Sequence, residues 1–215
     1  MSYDTGIISR PALIGSSNQN MGSSVDISFD SNYYFIGSCE YLSNTGQFDI
    51  FGYIDHTQIA NSNTFTNPLY TVVGSSNDGK LGFSLKVNWD GTRVVVGEPG
   101  NNRVHVITTS GVGENRWNTG SVTSVVISSP DNGSHNNFGY SVAISKDTGN
   151  DIVIGAPGIN KIYVYQIDLS GNWIKKYENS EGNTIQKIKY DTGIFFEMTP
   201  SSNSFPVSAL STNEY

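Results

Sequence analysis

Charge is scarce in this 215-residue chain, at 14% of residues, and cysteine nearly absent. The single Cys39 excludes an internal disulfide framework. No His or basic residue stands beside it in sequence, so it reads as a buried structural thiol. Leu and Ala are also few, 7 and 5. These are the residues long helices use, so a helix bundle is excluded and a doubly wound α/β fold disfavoured. Basic residues number 12 against 19 acidic, net −7. Nothing here would neutralise a phosphate backbone, so nucleic acid is not an expected partner. The basic cluster Lys175, Lys176, Lys187 and Lys189 is mixed with Glu178 and Glu181 and reads as a solvated strand face. No apolar run is long enough to span a bilayer, so membrane insertion is not expected. The opening MSYDTGIISRP lacks a charged region followed by an apolar stretch, so no cleavable signal is visible.

Uncharged polar and turn-forming residues fill the space left by charge: 29 Ser, 23 Asn, 16 Thr and 23 Gly. Among core formers, 20 Ile and 17 Val dominate, and β-branched residues suit a pleated surface. With 25 aromatics as well, the chain has enough apolar mass to bury a core and is not disordered. The composition points to an all-β protein.

Self-similarity organises the chain. Phe138-Gly139-Tyr140-Ser141-Val142-Ala143-Ile144 precedes Asp151-Ile152-Val153-Ile154-Gly155-Ala156-Pro157-Gly158, then Lys161-Ile162-Tyr163-Val164-Tyr165. The same order occurs earlier in Leu81-Gly82-Phe83-Ser84, Arg93-Val94-Val95-Val96-Gly97-Glu98-Pro99 and Arg103-Val104-His105-Val106. It occurs again in Met21-Gly22-Ser23-Ser24 and Tyr33-Tyr34-Phe35-Ile36-Gly37-Ser38. Gly22, Gly82 and Gly139 are spaced by 60 and 57 residues, and Trp117 and Trp173 by 56. Tyr190-Asp191-Thr192-Gly193 and Ser204-Phe205-Pro206-Val207 open a fourth copy. Val94-Val95-Val96 and Ile152-Val153-Ile154 are continuous apolar runs, as in strands covered on both faces. Asp90-Gly91 and the stretch 147–150 are turn chemistry between strands. About four strands per ~58 residues is the signature of a propeller blade. One repeat domain over 1–215 is expected, with blades at about 15–74, 75–130 and 131–186 and a partial fourth at 187–215.

These motifs resemble the FG-GAP repeat, the blade unit of integrin-α-type β-propellers. The third copy matches at Phe138, Gly139, Gly155, Ala156 and Pro157. The second keeps Gly82, Gly97 and Pro99 but departs at Leu81 and Glu98. The first keeps Gly22 and Gly37, with Met21 for Phe and Ser38-Cys39 for Ala-Pro. The likeness covers about residues 15–180, most clearly 75–175. It implies that Phe138 wedges between blades and that the glycine after it admits a close neighbour. The Pro ends the second strand, since it lacks a ladder donor. Many such blades hold calcium in an Asp-rich loop before the Gly-Ala-Pro strand. Here the loop is 143–151, with Asp147 and Asp151 acidic, Ala143 and Ser145 at the first and third positions, and Lys146 inside. That is a poor calcium set, so no cofactor or metal is expected and the resemblance is to a metal-free, short-hairpin variety.

The Asn- and Asp-rich connections before each first strand would share one rim. Asp78, Asp131 and Asn132 are the candidate polar ligands there, with Trp89 as the aromatic outside the repeat period. Trp117 and Trp173 recur with the repeat and read as packing residues. His56, His105 and His135 are isolated, with His105 expected on the wet side of a strand. No nucleophile elbow or phosphate-binding loop is present, so no catalytic residue is expected.

Propellers have four to eight blades, and three and a half do not close a ring. The expected outcomes are a compact arc, closure by self-association, or membership of a larger assembly that covers the open edge. The leading expectation is a non-enzymatic interaction module for assembly or attachment, partnered by other protein subunits. A virion-surface, extracellular or cell-surface setting fits the charge-poor, Ser/Asn-rich composition. A glycan-binding lectin using Trp89 is the alternative. A glycan hydrolase or lyase is a third, for which Asp26 and Asp151 are the carboxylates at the blade edges.

Overall fold

The computed structural model describes residues 18–52, 68–179, 188–189 and 195–196. Three four-stranded antiparallel sheets follow one another along the chain, each a meander in sequence order. The first comprises β1 (Met21–Ile27), β2 (Tyr33–Ser38), β3 (Gln47–Gly52) and β4 (Tyr70–Val73). The second comprises β5 (Ser84–Val87), β6 (Arg93–Glu98), β7 (Arg103–Thr109) and β8 (Val122–Ser128). The third comprises β9 (Ser141–Ile144), β10 (Asp151–Ala156), β11 (Lys161–Ile167) and β12 (Trp173–Asn179). A short pair, β13 (Ile188–Lys189) and β14 (Phe195–Phe196), lies where the fourth copy begins. The remainder of that copy, Pro206 included, lies outside the described residues, as does His56. This is a propeller-like β fold of four-stranded blades.

The sheets stack face to face. Tyr33, Phe35, Phe48 and Ile50 of the first sheet pack on Leu81, Leu85, Val87, Val94, Val96, Ile107 and Trp117. Val95, Val104, Val106 and Ile127 on the other side of the second sheet pack on Phe138, Ile152, Ile154, Tyr163 and Tyr165. Thus Val94 and Val96 point one way and Val95 the other, and all three are buried. Period-2 alternation turns a continuous apolar run into two packing faces. The same reading does not hold for Ile152-Val153-Ile154. Ile152 and Ile154 are buried, but Val153 is only half-buried, because among the described residues no sheet packs on its side.

Phe138 is fully buried between the second and third sheets, edge-on to Tyr163 at 5.2 Å between centroids. Leu81 takes the equivalent place one interface earlier. Strands β6 and β10 end where Pro99 and Pro157 open single 3-10 turns, each closed by a left-handed Asn, Asn102 or Asn160. Trp117 donates its indole N–H to the Gly91 carbonyl at 2.8 Å and packs at the first interface. Trp173 packs against the second, with the Arg93 guanidinium 5.6 Å from its ring centroid. Cys39 is buried and unpaired.

Candidate functional site

The residues singled out in the sequence fall at two opposite ends of the sheets. Asp78, Asp131 and Asn132 precede first strands. Trp89 follows β5, at the end where β1 and β9 also finish, so it does not join the Asp-bearing rim. Asp78 is exposed and accepts from Asn44 Nδ2 at 2.9 Å. Asn132 is exposed. Asp131 is committed internally: Lys161 Nζ lies 3.0 Å from Oδ1, and the buried Tyr163 hydroxyl donates to Oδ2. The Tyr163 hydroxyl first, then Lys161, hold its carboxyl below the usual range.

The second copy meets the same need with other residues. Glu98 stands where the third copy has Ala156, and it is fully buried. It accepts from Arg103 Nε at 2.5 Å and from Asn101 Nδ2 at 2.6 Å, and His105 Nε2 lies 2.7 Å away. Arg103 also donates to Ser75 Oγ at 2.5 Å. Burial alone would raise the Glu98 carboxyl, but the hydrogen bonds from His105, Arg103 and Asn101 outweigh it and pull it from 4.5 to about 2. His105 is therefore buried against a carboxylate rather than on a wet face. A basic side chain at the start of the third strand is neutralised in both copies. The carboxylate comes from the second strand in one and from the preceding connection in the other.

At the opposite end, Trp89 stacks on Phe29 with centroids 4.1 Å apart, and both are solvent-facing, 52% and 67% exposed. The loops there are tied together by backbone: Phe29 N–H donates to Trp89 O at 3.0 Å, and Trp89 N–H to Lys146 O at 2.6 Å. Asp26 accepts from the Val87 N–H at 3.1 Å, with Lys86 and Lys146 amines each 3.7 Å away. Lys146, the residue that spoiled the calcium pattern, donates to the Val87 carbonyl at 2.7 Å. Among the described residues no group of three or more His, Cys, Asp or Glu stands ready to hold a metal. Asp151 is engaged apart from Asp26: burial raises its carboxyl, and a Gln166 side-chain hydrogen bond opposes this.

A further surface is the outer face of the third sheet, on which no described sheet packs. Register places Ala143, Val153, Ile162 and Val164 on it, with Ile174 opposite Gln166. Ile162 is 36% exposed, whereas Val104 and Phe48 at the equivalent register, each paired with the second-strand glycine, are fully buried. Tyr140 and Ile174 are also exposed. Sequence reasoning anticipated an open edge but named none of these residues, because nothing local distinguishes Ile162 from Val104.

Residues 123–166 match the model of the FG-GAP repeat. No curated protein matches the chain in sequence. Among solved structures, the periplasmic gluconolactonase of Pseudomonas aeruginosa is similar at 15% identity and a TM-score of 0.51, covering 81% of this chain and 46% of that one. A 6-phosphogluconolactonase-like protein of Bacteroides fragilis gives 13%, 0.50, 81% and 46%. The β-propeller domain of Swd1 from Myceliophteria thermophila gives 10%, 0.47, 76% and 44%. The chain spans less than half the length of these structures. At such identity the first two speak for the fold, and the lactonase activity in their names is theirs.

Proposed function

We propose that this propeller-type module is a non-enzymatic interaction unit, used in assembly or attachment, that packs the outer face of its third sheet against another protein subunit. The observation that carries the reading is the exposed Ile162, at the register position that Phe48 and Val104 fill in sheet-on-sheet packing, with Ile174 also exposed. An exposed sheet face of this kind marks an interaction site. The mapped carboxylates support the same reading. Glu98, Asp131 and Asp26 each serve a structural contact. The charge-poor, Ser/Asn-rich composition suits a virion-surface or extracellular setting.

The double variant Ile162→Lys/Ile174→Lys tests this at high dilution. If the face serves another subunit, the melting temperature of the single chain stays within about 2 °C of wild type, as for a surface change. A fall of more than about 5 °C would mean that the chain covers this face itself, and the reading would be wrong.

A second reading has its own observation, the solvent-facing Phe29–Trp89 stack beside Lys146. Aromatic faces flanked by polar groups suit sugar rings. Under this alternative Trp89→Ala abolishes saturable sugar binding followed by intrinsic fluorescence. Unquenched fluorescence across a glycan panel would remove it.

A further inference from the structure

Each contact between successive sheets contains the same lock. A turn before the first strand carries a glycine at positive φ, 83° at Gly82 and 91° at Gly139. Its carbonyl enters the space where the preceding sheet has a second-strand glycine. A Cβ on Gly37 would collide with the Gly82 carbonyl, and a Cβ on Gly97 with the Gly139 carbonyl. A first-strand serine of the preceding sheet donates to that carbonyl: Ser24 Oγ to Gly82 O at 2.7 Å, and Ser84 Oγ to Gly139 O at 2.8 Å. The turn is fixed to its own sheet by backbone: Gly82 N–H donates to Gly97 O at 3.0 Å and Gly139 N–H to Gly155 O at 3.1 Å.

Both halves of one more lock are present and, among the described residues, unpaired with each other or with a further sheet. The first copy has the inserting turn. Ser23 N–H donates to Asn20 O, as Phe83 does to Lys80 and Tyr140 to Asn137. Gly22 has φ 87°, and the lead-in residues Asn20, Lys80 and Asn137 have φ 50°, 58° and 54°. Gly22 is exposed, and among the described residues nothing stands within 4 Å of where its Cβ would be. The third copy has the receiving half. Ser141 Oγ lies beside the site a Gly155 Cβ would take, and among the described residues no further sheet's carbonyl fills it. The surrounding side chains agree. Three and five residues after the turn glycine, Leu85 and Val87 are buried and Val142 and Ile144 are packed in the core, but Val25 and Ile27 are 61% and 45% exposed.

We propose that two copies of this chain associate head to tail, the Met21-Gly22 turn of one entering the Gly155/Ser141 notch of the other. Gly22 O accepts the Ser141 hydroxyl, and Val25 and Ile27 cover Val153 and Ile162. The sequence of this chain's own fourth copy does not supply the inserting turn. It has Pro206 after Phe205 where the turn needs glycine, and proline neither donates an N–H nor reaches positive φ. The contact is heterologous, so repetition closes a ring or runs on as a filament. The inference rests on the proposed use of the third-sheet face and names its occupant.

Gly155→Ala and the exposed Val25→Lys test it in the full-length chain, by light-scattering mass across a dilution series. Wild type forms species of at least twice the 23.3 kDa chain mass. Each variant alone is monomeric, with an unchanged circular dichroism spectrum. An equimolar mixture restores a 1:1 dimer, since each partner keeps one intact half. Wild type at 23.3 kDa throughout, or association unchanged by Gly155→Ala, overturns the head-to-tail contact. If Gly155→Ala associates normally but Ile162→Lys/Ile174→Lys does not, the third-sheet face remains a contact surface and only this lock is wrong.

Discussion

Glu98 occupies the alanine position of its motif and still fits, because the third strand beside it begins with Arg103, its partner in register, and brings His105 diagonally across to 2.7 Å. Truncating it leaves the buried His105 and the half-buried Arg103 without this partner, so Glu98→Ala is expected to destabilise the fold by about 2–3 kcal/mol, read from urea unfolding. Ser75 already touches Arg103, where the third copy has Asp131 on Lys161. Adding Ser75→Asp to Glu98→Ala is therefore expected to recover part of the loss. No recovery would contradict the equivalence of the two networks. The folded Glu98 carboxyl is held near about 2 against an ordinary 4.5. Its contribution is present above the ordinary value and is lost as pH falls through that window. Glu98→Gln should flatten the decline of stability between about pH 4.5 and 2, without removing it, because Asp30 and Asp131 are also held low.

At the scale of the element, the repeated glycines explain why the motif was readable. Gly82 and Gly139 need positive φ and lie against backbone of the preceding sheet, which no other residue type tolerates, so they recur at fixed spacing. Strand alternation and the Pro that ends β6 and β10 were legible for the same reason: they answer local physics. Ser24, Ser84 and Ser141 also recur two residues after each turn glycine, and their bonding role became clear only across sheets. The environment of His105 was not legible, because its partner depends on register with Glu98 rather than on neighbours in sequence. Gly97 and Gly155 are equal in sequence and unequal in surroundings. Gly97→Ala drives a Cβ into the Gly139 carbonyl and should cost about 1–3 kcal/mol. Gly155→Ala meets only the Ser141 side chain, whose hydroxyl can rotate away, and the monomer should change by less than about 0.5 kcal/mol. Thermal melts of the two variants at equal dilution check the contrast; equal losses would mean that the third notch is filled within one chain.

The whole molecule is a stack in which only the second sheet is covered by described sheets on both faces. The all-β class and blade repeat followed from composition and period. Which residues form the open surface did not, since burial is a property of the stack and not of the strand. The Phe29–Trp89 stack was only half visible, through Trp89, because its partner comes from a different sheet. The most direct measurement of the central claim is the rate at which a thiol placed at position 162, by Ile162→Cys, reacts with a soluble maleimide as protein concentration rises. The native Cys39 is buried and provides the slow internal reference. An open face used for association gives near-free reactivity at high dilution and progressive protection at higher concentration. Protection at every dilution would show that the chain covers the face itself, and undiminished reactivity at every concentration would show that no second subunit docks there.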